Sequence, residues 1–164
     1  MLSRRAPLFY LPLLVAPPLA LTWAQNQSIG LVEEIDGGVR ATNGGRARAL
    51  ALGADILLGE RLRSDGRGGC AIRFEDDTLF DIGAGSDVVI DGFVYAGGSS
   101  LFSAQVVVGG FRFLTGQIAA LSPSRFMVAT PAGVIGVRGT HVAGSVDGET
   151  LEAMLLESED EDAG

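Results

Sequence analysis

Short apolar runs, each cut off after a few residues by glycine, set the tightest limit on what this chain can fold into. Glycine fills 24 of 164 positions, about twice its usual share. The glycines lie between the apolar runs rather than in one tract, so they mark many tight turns and bends, not a flexible linker. Within the runs, apolar and polar residues alternate, and helical spacing is not the dominant pattern. Arg46-Ala47-Arg48-Ala49-Leu50 is such a stretch, with one wet face. Preceded by Val39-Arg40-Ala41-Thr42 and Asn43-Gly44-Gly45, it predicts a hairpin, because Asn and Gly accept positive φ in a tight turn.

A second hairpin is predicted from 70–74, the turn Glu75-Asp76-Asp77, and 78–82. Further strands are expected at 56–58, 61–64, 87–91, 93–95, 104–108, 111–114, 117–121, 126–130, 134–138 and 140–143. Phe111 and Phe113 should share one face of their strand and Arg112 the other. Residues 151–156 read as a last strand or a short helix, and Gly97-Gly98-Ser99-Ser100 as a soft loop. Strands this short, separated by glycine turns, predict an all-β fold: a β-sandwich, or an irregular β-solenoid since no strict period repeats.

The two ends differ from the body. Residues 1–24 carry Arg4-Arg5, then an apolar run, then Thr22-Trp23-Ala24. This is the order of a secretory signal peptide, with cleavage expected after Ala24. Pro7, Pro12, Pro17 and Pro18 make the run a poor spanning helix, so an uncleaved inner-membrane anchor is the weaker alternative. The mature chain is expected in the periplasm or outside the cell, with no membrane span once the leader is gone. Residues 25–156 are then a single β domain. Residues 157–164, opening Glu157-Ser158-Glu159-Asp160-Glu161-Asp162, are expected to be a solvated, disordered acidic tail.

Charge narrows the partners. The 12 basic residues are all arginine, and the net charge is −8; loss of Arg4 and Arg5 with the leader makes it −10. That balance argues against nucleic acid, whose binding requires clustered Lys and Arg to displace counterions. It also argues against electrostatic adhesion to anionic lipid. Cys70, the only cysteine, cannot form an intramolecular disulfide and sits in an alternating strand, where it reads as a small buried apolar residue.

Three segments together resemble the FecR domain family. The first is Leu52-Gly53-Ala54-Asp55-Ile56-Leu57-Leu58-Gly59-Glu60-Arg61-Leu62-Arg63-Ser64. The second runs from Phe74-Glu75-Asp76-Asp77-Thr78-Leu79 through Ile82-Gly83-Ala84-Gly85-Ser86 to Asp91-Gly92-Phe93-Val94-Tyr95. The third is Gly110-Phe111-Arg112-Phe113-Leu114-Thr115-Gly116, followed by Pro131 and Val134-Ile135-Gly136-Val137-Arg138-Gly139-Thr140. The resemblance spans about 52–143 and implies an all-β extracytoplasmic domain. In the family's founding members such a domain follows a cytoplasmic segment and a membrane helix, and relays a receptor's state to a sigma factor. The present sequence shows neither of those parts, so the fold is expected to carry over and the sigma-regulator role is not.

The positions that carry the resemblance are Asp77, Thr78, Ser86, Arg112, Pro131, Arg138, Gly139 and Thr140. They read first as structural. Carboxylates in the Asp76-Asp77-Thr78 turn can accept backbone N–H groups, Gly83 and Gly85 allow positive φ before Ser86, and Pro131 bends the chain after a strand. Contact with a ligand is the alternative for Arg112 and Arg138. No catalytic set is expected. His141 stands alone as a strand residue with a satisfied ring nitrogen, and no Gly-x-Ser-x-Gly elbow occurs. No metal or cofactor is expected, since one His and one Cys cannot build a zinc site. Calcium is the one metal the residues suggest, on Asp76, Asp77 and Asp81 or on the acidic tail, and no EF-hand or nonapeptide spacing supports it. The chain is therefore expected to be a non-catalytic interaction or sensing module that takes a protein or peptide partner. Self-association through strand edges, as in a structural surface protein, is the alternative.

Overall fold

The computed structural model describes residues 27–95, 99–136 and 141–156. The expected leader, Gly97-Gly98 of the soft loop, Arg138-Gly139-Thr140 and the acidic tail lie outside them. Among the described residues the fold is all-β: thirteen strands form one sheet, with the path β3-β2-β5-β8-β9-β7-β6-β1-β4. Every ladder is antiparallel except that between β9 and β10. The ladders fall into two sets that meet on one long shared strand, through which the sheet curls on itself.

The first half follows the alternation in the sequence. It comprises β1 (Ser28–Ile35), β2 (Val39–Asn43), β3 (Arg46–Ala49), β4 (Asp55–Leu57) and β5 (Arg61–Ser64). Next come β6 (Cys70–Phe74), β7 (Leu79–Ile82) and β8 (Asp87–Val94). Both predicted hairpins form, β2 with β3 and β6 with β7. Residues 87–91 and 93–95, expected as two strands, are one strand whose register shifts at Ile90/Gly92.

The long strand is β9 (Leu101–Leu114). Its first half pairs with β8 and its second with β7. The sequence predicts a break at Gly109-Gly110, but the strand bends there and continues. Gly109 sits at φ 102°, and a Cβ on it would lie 2.5 Å from the Ser86 Cα. Only glycine combines that dihedral with that approach, and the bend hands β9 from one half of the sheet to the other.

Residues 117–121, expected as a strand, form a short helix, α1 (Gln117–Leu121). Ile118 and Ala119 are adjacent and both buried, a pattern that an alternating strand cannot give. After a 3-10 turn over Pro123–Arg125 come β10 (Phe126–Thr130), β11 (Gly133–Gly136), β12 (His141–Asp147) and β13 (Thr150–Leu156). The stretch 151–156 is thus a strand.

The core is aromatic. Phe74, Phe80, Phe93, Phe102, Phe111, Phe113 and Phe126 are all buried. Phe102 stacks on Phe126 with centroids 4.5 Å apart, and its edge meets Phe74 at 5.1 Å. Phe113 joins the same cluster through Phe126 at 5.5 Å. Each such ring contributes about 1.5–3 kcal/mol by leaving water. Phe111 and Phe113 face inward while Arg112 faces out, as alternation requires. Cys70 is buried.

Candidate functional site

Motif positions within the described residues make hydrogen bonds inside the fold. Asp76 is fully buried at the β6–β7 turn. Its carboxylate accepts the Thr78 N–H at 3.2 Å, the Thr78 hydroxyl at 2.8 Å and the Ile118 N–H at 3.2 Å. The Thr78 Oγ1 accepts the Gly116 N–H at 3.0 Å. Asp77, at φ 66°, accepts from the Gln117 side-chain amide at 2.9 Å, and the Tyr95 hydroxyl donates to the Gln117 Oε1 at 2.7 Å. The turn therefore clamps the start of α1. Gly116 has no room for a side chain, because a Cβ would press on the backbone of residues 76–78. The carboxylates weighed for calcium are already engaged: Asp76 and Asp77 as described, and Asp81 by the Arg112 Nε at 2.6 Å.

Ser86 ties the bend. It is buried, and its hydroxyl donates to the Gly110 carbonyl at 2.9 Å. Its backbone N–H donates to the Ser64 Oγ at 2.8 Å, and Ser64 donates to the Gly83 carbonyl at 2.5 Å. Gly85 takes positive φ, at 67°, whereas Gly83 is not among the glycines that do. Pro131 lies in the β10–β11 turn, closed by the Thr130 Oγ1 and Gly133 at 3.0 and 3.2 Å. Arg112 is spent on Asp81 at the surface. The sequence-level idea of Arg112 as a ligand contact thus competes with an ion pair already made. Arg138, Gly139 and Thr140 lie outside the described residues.

Other polar groups are similarly absorbed. Asp87 takes Arg61 at 2.6 and 2.7 Å and Arg63 at 2.8 Å. Burial pulls its pKa up, but the hydrogen bonds and charges of the two guanidiniums outweigh that and hold it below its ordinary value. Glu60, buried, takes Arg48 at 2.9 Å and the Leu57 N–H at 2.9 Å. Burial, with the Asp81 charge adding to it, pushes the Cys70 thiol up to about 12, so it is the inert kind of cysteine. His141 is half-buried at the start of β12, opposite Leu114 and Leu156. The described residues supply its ring with no hydrogen-bond partner, contrary to the sequence expectation. No group of three or more His, Cys, Asp or Glu among them stands close enough to hold a metal, and no helix among them is long and apolar enough to cross a membrane.

What remains unabsorbed is the edge formed by β13. Among the described residues it pairs only with β12, over seven consecutive residues from Thr150 to Leu156 without a bulge. On its partner, Val142 and Val146 are buried. Gly144 lies between them, where a Cβ would come 2.7 Å from the Phe111 ring, so this face of β12 looks inward. Their β13 counterparts on that face are Leu155, Ala153 and Leu151. Leu155 is 68% exposed, and on the opposite face Met154 is 63% exposed. One face of the strand, Leu151, Ala153 and Leu155, is thus apolar, while the other carries Thr150 and Glu152 beside Met154 and Leu156, and among the described residues its outer hydrogen-bonding edge pairs with no strand. A shallow groove of about 320 Å³ runs along the hairpin, lined by Ala143, Gly144, Ser145, Glu152, Ala153 and Met154.

The other strands at free ends of the sheet differ. β3 has four residues, two of them arginine, β4 has three, and β11 has four including two glycines. Short length and charge are how natural sheets blunt their edges. β13 has neither lysine, proline nor bulge, and its one charge is Glu152. The sequence alone leaves this segment open between strand and helix, and the continuous apolar run 153–156 is the signal it offers.

A family model described as FecR protein matches residues 60–159. No curated protein matches the chain. A solved structure described as a cell surface anchoring domain is 35% identical, over 38% of this chain and 83% of that one, with a TM-score of 0.37. The family match covers more than half of the sequence and includes β5 to β13, so the chain belongs to the FecR protein family.

Proposed function

We propose that this chain is a non-catalytic, extracytoplasmic FecR-family module that recognises a protein partner by adding the partner's strand to the open edge of β13. The observation that carries this reading is a seven-residue edge strand, apolar on one face and at Met154 and Leu156 on the other, with Glu152 as its one charge and neither proline nor bulge. Strand addition supplies main-chain hydrogen bonds for affinity and alternate side chains for specificity. The engagement of Asp76, Asp77, Asp81, Asp87 and Glu60 in structural bonds supports a binding role over a chemical one. The acidic balance and the leader-like residues 1–24 support a site outside the cytoplasm.

Site-specific photo-crosslinking in cells tests it. A photoreactive residue at Met154 or Leu155 should give one discrete crosslinked protein. The same group at Leu52, 69% exposed in a turn away from that edge, should give none. Equal labelling from all three sites, or none from 154 and 155, would remove the proposal.

A further inference from the structure

The outer face of the sheet beside β3 carries charges that the fold leaves unbalanced. Val39 and Ala41 of β2 and Leu62 of β5 are buried, so alternation turns Arg40, Arg61 and Arg63 outward. Register places Arg40 directly opposite Arg63, and Arg63 directly opposite Asp87. Opposed side chains on one face start about 5 Å apart, and like charges so placed are destabilising. Asp87 is taken by Arg61 and Arg63. Among the described residues it is the one carboxylate bonded to any of the three arginines, and the Arg40 guanidinium has no hydrogen bond or ion pair there. Asp65, just after β5, is held instead by the Gly38 and Arg67 N–H groups. Three guanidiniums thus share one carboxylate, in a chain whose net charge is −8. The Arg63 side chain stays 60% exposed and that of Arg61 42%, and Arg40 is exposed.

We infer that this face is a second docking surface, separate from the β13 edge, for a partner protein that presents carboxylates between apolar side chains. Guanidinium and carboxylate match as paired forks. A carboxylate seated between Arg40 and Arg63 relieves the repulsion that the fold leaves there. The border of the patch says which kind of acid fits. On one side Ala47 and Ala49 of β3 lie opposite Thr42 and Arg40 and are exposed. On the other, Val89 is half-buried opposite Arg61, and Val108, opposite Asp87, is 38% exposed. Arginine set among apolar side chains is the composition of a protein interface, whereas an acidic polysaccharide brings hydroxyls to such a border. Nucleic acid and anionic lipid call for larger basic clusters than this one. Nothing in the arrangement depends on the β13 edge, and either surface can fail without the other.

Three short labelled peptides, alternating valine with glutamate, glutamine or lysine, test the inference by fluorescence anisotropy with the full chain, beside labelled polygalacturonate as an acidic glycan. The glutamate peptide should bind most tightly and the lysine peptide most weakly, and the difference should shrink as salt rises. Arg40→Gln should weaken the glutamate peptide about fivefold, and Arg40→Glu more than about tenfold. Because Arg40 faces Arg63 and bonds to nothing else among the described residues, Arg40→Gln should not lower the melting temperature, and Arg40→Glu should raise it by pairing with Arg63. Arg125→Gln, the same charge change in the 3-10 turn before β10, should leave binding within about twofold. An equal loss with Arg125→Gln would reduce the effect to net charge and overturn the inference. So would no binding of the glutamate peptide, or binding indifferent to both Arg40 substitutions. A melting temperature lowered by Arg40→Glu would make Arg40 a structural residue and overturn it too. Polygalacturonate binding more tightly than the glutamate peptide, and lost with Arg40→Gln, would identify an acidic glycan as the occupant instead. Sedimentation showing self-association that Arg40→Glu abolishes would identify a second copy, and either result would overturn the inference.

Discussion

Asp76 accepts the backbone N–H of Ile118 at 3.2 Å, joining residues 42 positions apart in sequence. With the Thr78 hydroxyl on the same oxygen at 2.8 Å, this bond fixes the corner where β7 departs and α1 begins. Both bonds run from the Asp76-Asp77-Thr78 turn, so this short motif ties two distant parts of the fold together.

Asp76→Ala should be among the most damaging single substitutions. It orphans the Thr78 N–H, the Thr78 hydroxyl and the Ile118 N–H in a fully buried place. Losing hydrogen bonds to a charged group and leaving donors unsatisfied costs about 3–5 kcal/mol. Urea denaturation followed by circular dichroism should show the midpoint falling accordingly. A loss under about 1 kcal/mol would mean that the corner is held by something else.

Gly109→Ala should unfold or strongly destabilise the chain. A methyl group there collides with the Ser86 backbone and the Ser86 hydroxyl at a positive φ. The strain and the displaced Ser86–Gly110 bond together are worth about 3 kcal/mol or more. Gly110→Ala, with open space around the new methyl, is the control and should be far milder. Thermal melts of the pair measure the difference.

Asp87 makes stability sensitive to acid. Its pKa is held low in the folded chain, where the bonds and charges of Arg61 and Arg63 overcome the opposing effect of burial. Asp65 is also held low, by the Arg67 and Gly38 N–H groups. A depressed folded pKa adds stability that is present above the unfolded value and lost as pH falls through the folded one. Stability should therefore decline below about pH 4, the ordinary aspartate range. Asp87→Asn should flatten that decline and cost about 1–2 kcal/mol at neutral pH, a modest figure because the arginines can return to water. Equal acid slopes in the two proteins would contradict this.

Cys70 should be silent in the folded state. A buried thiol pushed up to about 12 presents almost no thiolate at pH 8. A thiol-reactive dye should label it only after unfolding, at the rate of unfolding. Rapid labelling of the native chain would show that β6 opens locally.

The all-β class, both hairpins and most strands were legible because alternation and glycine spacing are local signals. Three features were not. Gln117-Ile118-Ala119-Ala120-Leu121 resembles a strand, and its helical form depends on Asp76 and Thr78 far earlier in the chain. Gly109-Gly110 reads as a break, and only the packing against Ser86 turns it into a bend within one strand. The motif residues Asp77, Thr78 and Ser86 bond within the fold, and their partners at Gln117, Gly116 and Gly110 could not be named from spacing. The edge is the least local property of all. The apolar character of 151–156 was visible, but whether that strand lies inside the sheet or at its border depends on the whole strand order.

Backbone hydrogen exchange at β13 tests the central claim most directly. The outer amides of Thr150–Leu156 should exchange quickly in the free chain, since β12 covers only one side. Bound to an extended seven-residue peptide of β-branched residues, alternate amides of this strand should slow about tenfold or more, with β3, β4 and β11 unchanged. Protection at one of those other edges, or unchanged exchange along β13 with the peptide bound, would contradict the account.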